Sequence, residues 1–232
     1  MKITATTLGE TGGDAVSMSM NLGYLLSTFI FTLIFVVVVI LQIRSVRFHP
    51  ALYWLTIIAT TTVGTTLADF ADRSLGIGYA GGSLLLLTLL TLSLVLWHRG
   101  FGSISVDRIS SPAEQLYYWV TILFSQTLGT ALGDWVADSA GLGYRGSAMV
   151  FGGLLVAIAF AYLVTDRSKT FFFWAAFILT RPFGAVLGDF LDKPVGSGGL
   201  AWSRFTASAL LLSILIVCIL CFPRQFEASA GD

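Results

Sequence analysis

The chain has 232 residues, of which 56% are hydrophobic and only 11% are charged, and its formal net charge is zero. An average soluble domain has about 25% charged residues, so this composition excludes an ordinary soluble protein. The long apolar runs at 25–43 and 207–222 approach the roughly 20 apolar residues that a bilayer-spanning helix requires. The sequence therefore predicts an all-α, polytopic membrane protein with a single membrane domain over residues 1–232.

The apolar segments predict about eight transmembrane helices in four helical hairpins. In chain order we expect helices at 3–19, 23–43, 51–72, 78–98, 112–138, 144–165, 169–192 and 200–222. Ser111, Pro112 and Glu114 form a capping box with proline at the first helical position, which fixes the start of the fifth helix. The repeats are then approximately 3–43, 51–98, 112–165 and 169–222. Whether the short first helix fully spans stays open.

A Gly-x-x-x-Gly/Ala-Asp motif occurs in each of the four repeats. It ends at Asp14, Asp69, Asp134 and Asp189, and a Gly-Tyr pair (Gly-Gly in the last repeat) follows so that its second residue lies ten residues after the aspartate. A register kept four times indicates an array of related units. Small residues four apart allow close approach of helix backbones, so we interpret the glycines as packing residues.

The aspartates themselves are not explained by packing. They lie near the C-terminal ends of their predicted helices, where the helix dipole disfavours negative charge, and ionisable residues at membrane depth usually mark ion or substrate pathways. The residue one helical turn earlier bears a side-chain oxygen in three repeats, and the residue two turns earlier adds a polar layer that includes Arg181 inside the seventh helix. The predicted metal site is Glu10, Asp14, Asp69, Asp134 and Asp189. The predicted accessory or funnel residues are Asp72, Asp138, Asp192, Thr65, Thr130, Gln126 and Arg181.

The donor atoms of this set are all oxygen. Such a set suits Mn²⁺, Mg²⁺ or Ca²⁺, whereas copper and iron–sulfur sites use sulfur or imidazole. His49 and His98 lie outside the motif, and Cys218 and Cys221 are best interpreted as apolar residues of the last helix. No nucleophile–base pair, phosphate loop or basic patch accompanies the carboxylates, so we expect neither an enzyme nor a nucleic-acid partner, and no firm cofactor. The six tryptophans are interpreted as interface anchors and packing residues, and the pairs Tyr53-Trp54 and Tyr118-Trp119 begin their helices as belt residues.

The distribution of basic residues predicts the orientation. The ends that join the repeats, together with both termini, carry Lys2, Arg44, Arg47, Arg99, Arg108, Arg167, Lys169 and Arg224, and the opposite ends carry Arg73, Arg145, Lys193 and Arg204. Eight against four favours cytoplasmic termini by the positive-inside rule. The aspartates would then lie toward the outside.

The repeats resemble a bacterial family of integral membrane proteins built from four copies of a two-helix repeat of unknown function. The resemblance rests on Gly9-Glu10-Thr11, Asp69-Phe70, Asp134-Trp135 and Asp189-Phe190, with the Gly-x-Gly-Tyr turns. It implies the topology and a bacterial inner-membrane location, and it carries no activity. The first repeat departs from the pattern, with Asp14-Ala15 where the others have an aromatic residue.

Three hypotheses follow from these residues. The first is a transporter for a divalent cation, Mn²⁺ or a similar hard metal, with exchange for protons as one form of coupling. The second is a proton-coupled carrier of a small organic solute. The third is a non-transporting structural protein whose acids neutralise Arg181, Arg145 and Lys193. The partners are the lipid bilayer and the metal ion or solute, with a homo-oligomer left open.

Overall fold

The computed structural model describes residues 1–45, 49–104, 106, 109, 111–165 and 168–221. Within them the chain forms eight α-helices: α1 Lys2–Asp14, α2 Gly23–Arg44, α3 Pro50–Asp69, α4 Tyr79–Phe101, α5 Pro112–Asp134, α6 Gly143–Val164, α7 Lys169–Asp192 and α8 Arg204–Cys221. The number of helices and most of their bounds are confirmed. The Ser111 side chain accepts a hydrogen bond from the Glu114 backbone at 3.1 Å, as the capping box predicts.

Three of the helices do not end at the motif aspartate but change their winding there. α1, α3 and α5 continue as π-helical turns over Ala15–Ser19, Phe70–Ser74 and Trp135–Ser139. Each aspartate is therefore the last α-helical residue before a π turn, an irregularity that is frequent at functional sites. In the fourth repeat Pro194 forces Lys193 into an extended conformation, so α7 ends at Asp192 without a π turn.

The odd-numbered helices form a closed inner ring in which α1 packs on α3, α3 on α5, α5 on α7, and α7 on α1. The even-numbered helices pack around this ring. The main partner of α2 is α3, that of α4 is α5, that of α6 is α7, and α8 closes on α1. The expected hairpins are therefore not the packing units: each outer helix packs on the inner helix of the following repeat. Adjacency along the chain favours hairpins, but ring closure packs every outer helix against a neighbouring repeat.

The motif glycines lie at the contacts between inner helices. A Cβ on Gly9 would lie 2.0 Å from Thr61 Cγ2, and one on Gly184 would lie 2.1 Å from Thr6 Oγ1. Gly64 faces the α5 backbone at Thr127 N, 3.0 Å from a built Cβ, and Gly129 faces the side chain of Arg181. The first glycine of each repeat thus packs against the next repeat around the ring, which confirms their interpretation as packing residues.

Six of the described helices are long and apolar enough to cross a membrane: α2, α3 with its π turn, α4, α6, α7 and α8. This is the character of a polytopic membrane protein. The expectation of about eight spans is not met, because α1 has only 13 residues and α5 carries polar residues such as Gln126 toward the ring interior. The outer helices expose large apolar side chains, including Leu25, Leu84 and Leu163, as a lipid-facing surface requires.

Aromatic side chains fill the ring at the end where the repeats join. Trp97 and Trp119 are at most 2% exposed, and Trp97 packs edge-on against Trp174 with ring centroids 5.8 Å apart. Trp54 and Trp119 are therefore core residues, and their interpretation as interfacial belt residues is wrong. α1 is about two turns shorter than α3 before the motif aspartate, so α1 does not reach this end of the ring. Bulky aromatic side chains occupy the space there.

Four of the eight basic residues that favour cytoplasmic termini lie outside the described residues: Arg47, Arg108, Arg167 and Arg224. Lys2 is partly buried, and its ammonium group donates to the carbonyl oxygen of Phe177 at 2.8 Å. The orientation in the membrane stays a prediction.

Candidate functional site

The inner ring contains three polar layers that are spaced four residues apart, or about 6 Å of helix. All members of the first layer are fully buried, and the second and third layers are at most 4% exposed. Counted from the aromatic end, the layers consist of Thr6, Thr61, Gln126 and Arg181; then Glu10, Thr65, Thr130 and Ala185; then Asp14, Asp69, Asp134 and Asp189.

Arg181 is the central residue of the two deeper layers. Its guanidinium forms an ion pair with Glu10 at 2.9 Å and donates to the hydroxyls of Thr65 and Thr130 at 2.5 Å each. It also donates to the carbonyl oxygens of Thr6 and Thr61 at 3.5 and 3.4 Å. Arg181 therefore joins α7 to all three other inner helices. A buried arginine is tolerable here because its two terminal nitrogens meet a carboxylate and four neutral oxygens, while its Nε has no hydrogen-bond partner among the described residues.

Lys193 bridges two aspartates of the third layer. Its ammonium nitrogen lies 3.0 Å from Asp189 Oδ1 and 3.0 Å from Asp14 Oδ2. Burial alone would lower the pKa of Lys193, but the carboxylates of Asp189 and Asp14 raise it well above its ordinary value of 10.5. The lysine is therefore a firmly charged cation, held between two repeats.

Arg73 makes the equivalent bridge on the other side of the ring. Its Nε lies 3.0 Å from Asp69 Oδ1 and its Nη2 lies 3.4 Å from Asp134 Oδ2. Arg73 and Lys193 each follow their own aspartate by four residues, which is one helical turn. The other two repeats have Met18 and Asp138 at this position, so the ring contains two bridged pairs with two-fold rather than four-fold character.

The two bridged pairs differ in their further carboxylates. Beside Lys193, one ligand oxygen from each of Asp14, Asp189 and Asp192 can be chosen so that all three lie within 4.8 Å of one another. Arg204 at the start of α8 holds Asp192 through Nε–Oδ2 at 2.5 Å and lies 3.7 Å from Asp14. The second oxygens of Asp14 and Asp192 are buried and have no hydrogen-bond partner among the described residues. These three side chains form the acidic triad.

The predicted site residues are thus divided over the ring rather than gathered at one point. Asp14 and Asp189 lie in the acidic triad, Asp69 and Asp134 share Arg73, and Glu10 lies one layer deeper with Arg181. The structure brings together the carboxylates of neighbouring repeats around the ring.

The accessory residues also differ in position. Thr65 and Thr130 donate to Glu10 at 3.1 and 3.5 Å, and the Gln126 amide is fully buried with no hydrogen-bond partner among the described residues. Asp72 is buried against Gly82 of α4, while Asp138 is exposed. Of the three outer acids, Asp192 is the one that joins a carboxylate group.

Arg73 and Arg204 were not among the candidate site residues, and both contact them. The spacing of four residues from Asp69 carried a signal for Arg73, because that spacing places an acid and a base on one helix face. No spacing rule reaches Arg204, which belongs to an outer helix packed on α1. Arg145, which the hypothesis of a structural protein paired with an acid, lies over the Phe190 ring, 5.7 Å from its centroid.

The family model described as Repeat of Unknown Function (DUF347) matches the chain four times, at residues 1–48, 52–100, 117–168 and 172–225. No curated protein matches the chain, and no solved structure does. The four matches follow the four repeats and together cover most of the sequence. The chain therefore belongs to the DUF347 family of four-repeat proteins.

Proposed function

We propose that the protein transports a divalent cation of the hard, oxygen-seeking class, such as Mn²⁺, and that the acidic triad is its binding site. The observation that carries this proposal is the position of Lys193. Its ammonium group lies between Asp14 and Asp189, where a metal ion bound by the same two carboxylates would lie. The lysine thus acts as a tethered cation that the substrate displaces.

The charges of the group favour a divalent ion. Asp14, Asp189 and Asp192 carry three negative charges, and Lys193 and Arg204 carry two positive charges. Replacing the ammonium group of Lys193 by a divalent ion gives the group a net charge of zero. A monovalent ion in its place leaves one net negative charge, as the lysine does. Neutrality matters because uncompensated charge is costly in a buried site.

Lys193 has a route out of the site. It directly follows the end of α7, its side chain is 13% exposed, and its long stem lets the ammonium group extend toward water. Its oxygen partners remain behind, fixed at an α–π junction and on α7. Displacement therefore requires rotation of one side chain rather than rearrangement of the ring.

The polar layers of the ring define the path that a transported ion would take through the bundle. Beyond the aspartate layer the path meets Arg181 with its partners on all inner helices, and then the aromatic side chains around Trp97. Transporters built from repeats bind their substrates at repeat interfaces, and the acidic triad lies between the fourth and first repeats. Movement of the substrate past Arg181 would require Glu10 to release its ion pair, which suggests exchange with protons.

Flux measured in proteoliposomes tests the proposal. We expect uptake of Mn²⁺ with an opposing proton flux in the unaltered protein, and loss of uptake in Asp189→Asn. Asp138→Asn is the matched control, because Asp138 is an exposed acid at the same end of the ring. Unchanged Mn²⁺ flux in Asp69→Asn, Asp134→Asn and Asp189→Asn together would exclude transport through these carboxylates.

Two other functions are separated by the same preparation. Every aspartate of the third layer contacts a base, which favours a purely structural role. In that case, exchanging the charges of Asp189 and Lys193 should restore the folding that a change of Asp189 alone disrupts, and no Mn²⁺ flux should appear. A carrier of a small organic solute would show a pH-driven flux that is indifferent to metal ions.

A further inference from the structure

A groove on the outside of the bundle lies between α6 and α7, at the end where the repeats join. Its volume is about 520 Å³, and its walls are mainly apolar, with Leu155 and Ala159 from α6 and Phe172 and Phe173 from α7. We infer that this groove binds a phospholipid with an anionic headgroup, with an acyl chain along the apolar walls and the phosphate at Lys169. This inference is independent of the proposed transport function.

The surroundings of the groove point to lipid. Leu163 at the groove is 79% exposed, and Phe160 and Phe171 beside it are 65% and 66% exposed, so the surface in which the groove opens is strongly apolar. On a polytopic membrane protein such a surface faces hydrocarbon. A water-soluble ligand would have to cross that region to reach the walls, whereas an acyl chain is already there. The volume lies within the range of about 300–1,000 Å³ found for small-molecule sites.

The polar end of the groove fits a phosphate group. Lys169 is the first residue of α7 and is exposed, and the hydroxyl-bearing Thr170 and Tyr162 line the same groove. Lys169 carries the only full charge among the described residues that line it. Basic pockets between membrane helices are known to bind anionic headgroups, and none of the lining residues that the structure describes is an acid.

The lengths of the two parts also agree. From Lys169 to Ala176, the deepest lining residue of α7, the helix rises about 10 Å. A headgroup at Lys169 would therefore place the first part of an acyl chain along the groove, about a third of the way through a hydrocarbon core of ~30 Å. The remainder of the chain would lie in bulk lipid.

The test measures lipid binding by the full-length protein in detergent, with phosphatidylglycerol and phosphatidylcholine of identical acyl chains as the probes, by native mass spectrometry and thermal stabilisation. We expect a preference for phosphatidylglycerol that falls roughly fivefold in Lys169→Gln, the effect of about one surface cation. Ala159→Trp, which fills the groove from an exposed position, should abolish binding of both lipids there. Arg99→Gln and Ala209→Trp are the controls, since both residues are exposed on other helices.

Several results would overturn the inference. Equal binding of the two lipids, or an unchanged preference in Lys169→Gln, would exclude the anionic headgroup at Lys169. Unchanged binding in Ala159→Trp, with native melting behaviour, would exclude the groove as the site of the acyl chain. A change of oligomeric state in Ala159→Trp without any change in lipid binding would assign the groove to a second copy of the chain instead.

Discussion

Gly9→Ala perturbs the closure of the inner ring at the contact between α1 and α3. The added Cβ would lie 2.0 Å from Thr61 Cγ2, 2.7 Å from its Cβ and 3.1 Å from its backbone carbon. Rotation of the threonine side chain can move Cγ2 but not Cβ or the backbone. Since ordinary contacts begin near 3.4 Å, α1 and α3 must separate by roughly 0.7 Å to accept one methyl group.

The energetic effect follows from two opposing terms. Overpacking a well-packed contact costs about 1–3 kcal/mol, while replacing glycine by alanine inside a helix gains up to about 1 kcal/mol. Gly12→Ala is the matched control, because it lies in the same helix and its Cβ would meet nothing within 4 Å. The two variants share the helix-propensity gain, so their difference in unfolding free energy should equal the packing cost of about 1–3 kcal/mol.

The assay is thermal unfolding of both variants in the same detergent. For a chain of this size each kcal/mol shifts the midpoint by about 2–4 °C, so Gly9→Ala should melt clearly below Gly12→Ala. Equal midpoints would refute the reasoning, because they would mean that α1 does not approach α3 as closely as the ring requires. Gly64→Ala, which faces the α5 backbone, repeats the test at the next contact.

Three further predictions concern charge and packing. Arg181→Met should destabilise the protein by about 3–5 kcal/mol, because Glu10 is left buried without its partner, and adding Glu10→Gln should recover part of that loss; additive effects in this double-mutant cycle would contradict the pairing. The pKa of Lys193 is raised in the folded protein, so its charge stabilises the fold fully below the ordinary lysine pKa of 10.5 and is lost only as the pH rises through the higher folded pKa. The difference in unfolding free energy between the unaltered protein and Lys193→Met should therefore stay constant between about pH 7 and 9. A difference that shrinks across this range would contradict the ion pairs of Lys193. Trp97→Ala should cost about 3–5 kcal/mol, whereas Trp135→Ala, at a residue 41% exposed, should be nearly neutral in the same melting assay.

The helices and the repeat register could be predicted because both are local properties of the sequence. Apolar runs of helical length and a motif at fixed spacing place the elements almost without reference to tertiary contacts. The start of α8 at Arg204 rather than residue 200 is an exception. There the backbone of Leu200 and Trp202 bonds back to Phe190 and Leu191 of α7, a tertiary contact that no local pattern reports.

The arrangement of the helices could not be predicted in the same way. The sequence pattern is the same whether the second helix of a repeat packs on the first helix of its own repeat or on that of the following repeat. Which of the two packings forms depends on the contact between α8 and α1, two helices that lie far apart along the chain. The π turns after Asp14, Asp69 and Asp134 also depend on tertiary packing, since the segments contain no proline to interrupt the helix.

The candidate carboxylates were found because their position contradicts both the helix dipole and the apolar surroundings. Their partners were found less well. Arg73 and Lys193 lie at helical spacing from an aspartate, so a search for acid–base pairs four residues apart would have identified both bases. The second aspartate of each bridge belongs to another repeat, which that spacing does not reveal. The partition of the acids into an acidic triad and a second pair depends on Arg204 and on the ring, and only the tertiary structure contains it.

Displacement of Lys193 by a metal ion is tested most directly by equilibrium binding of Mn²⁺ to the purified protein, followed by electron paramagnetic resonance. Binding should be lost in Asp189→Asn, retained in Asp138→Asn, and strengthened in Lys193→Met, because that variant removes the competing ammonium group from between Asp14 and Asp189. Weaker or unchanged Mn²⁺ binding in a folded Lys193→Met variant would contradict the displacement, and absence of binding in all four proteins would contradict the metal site itself.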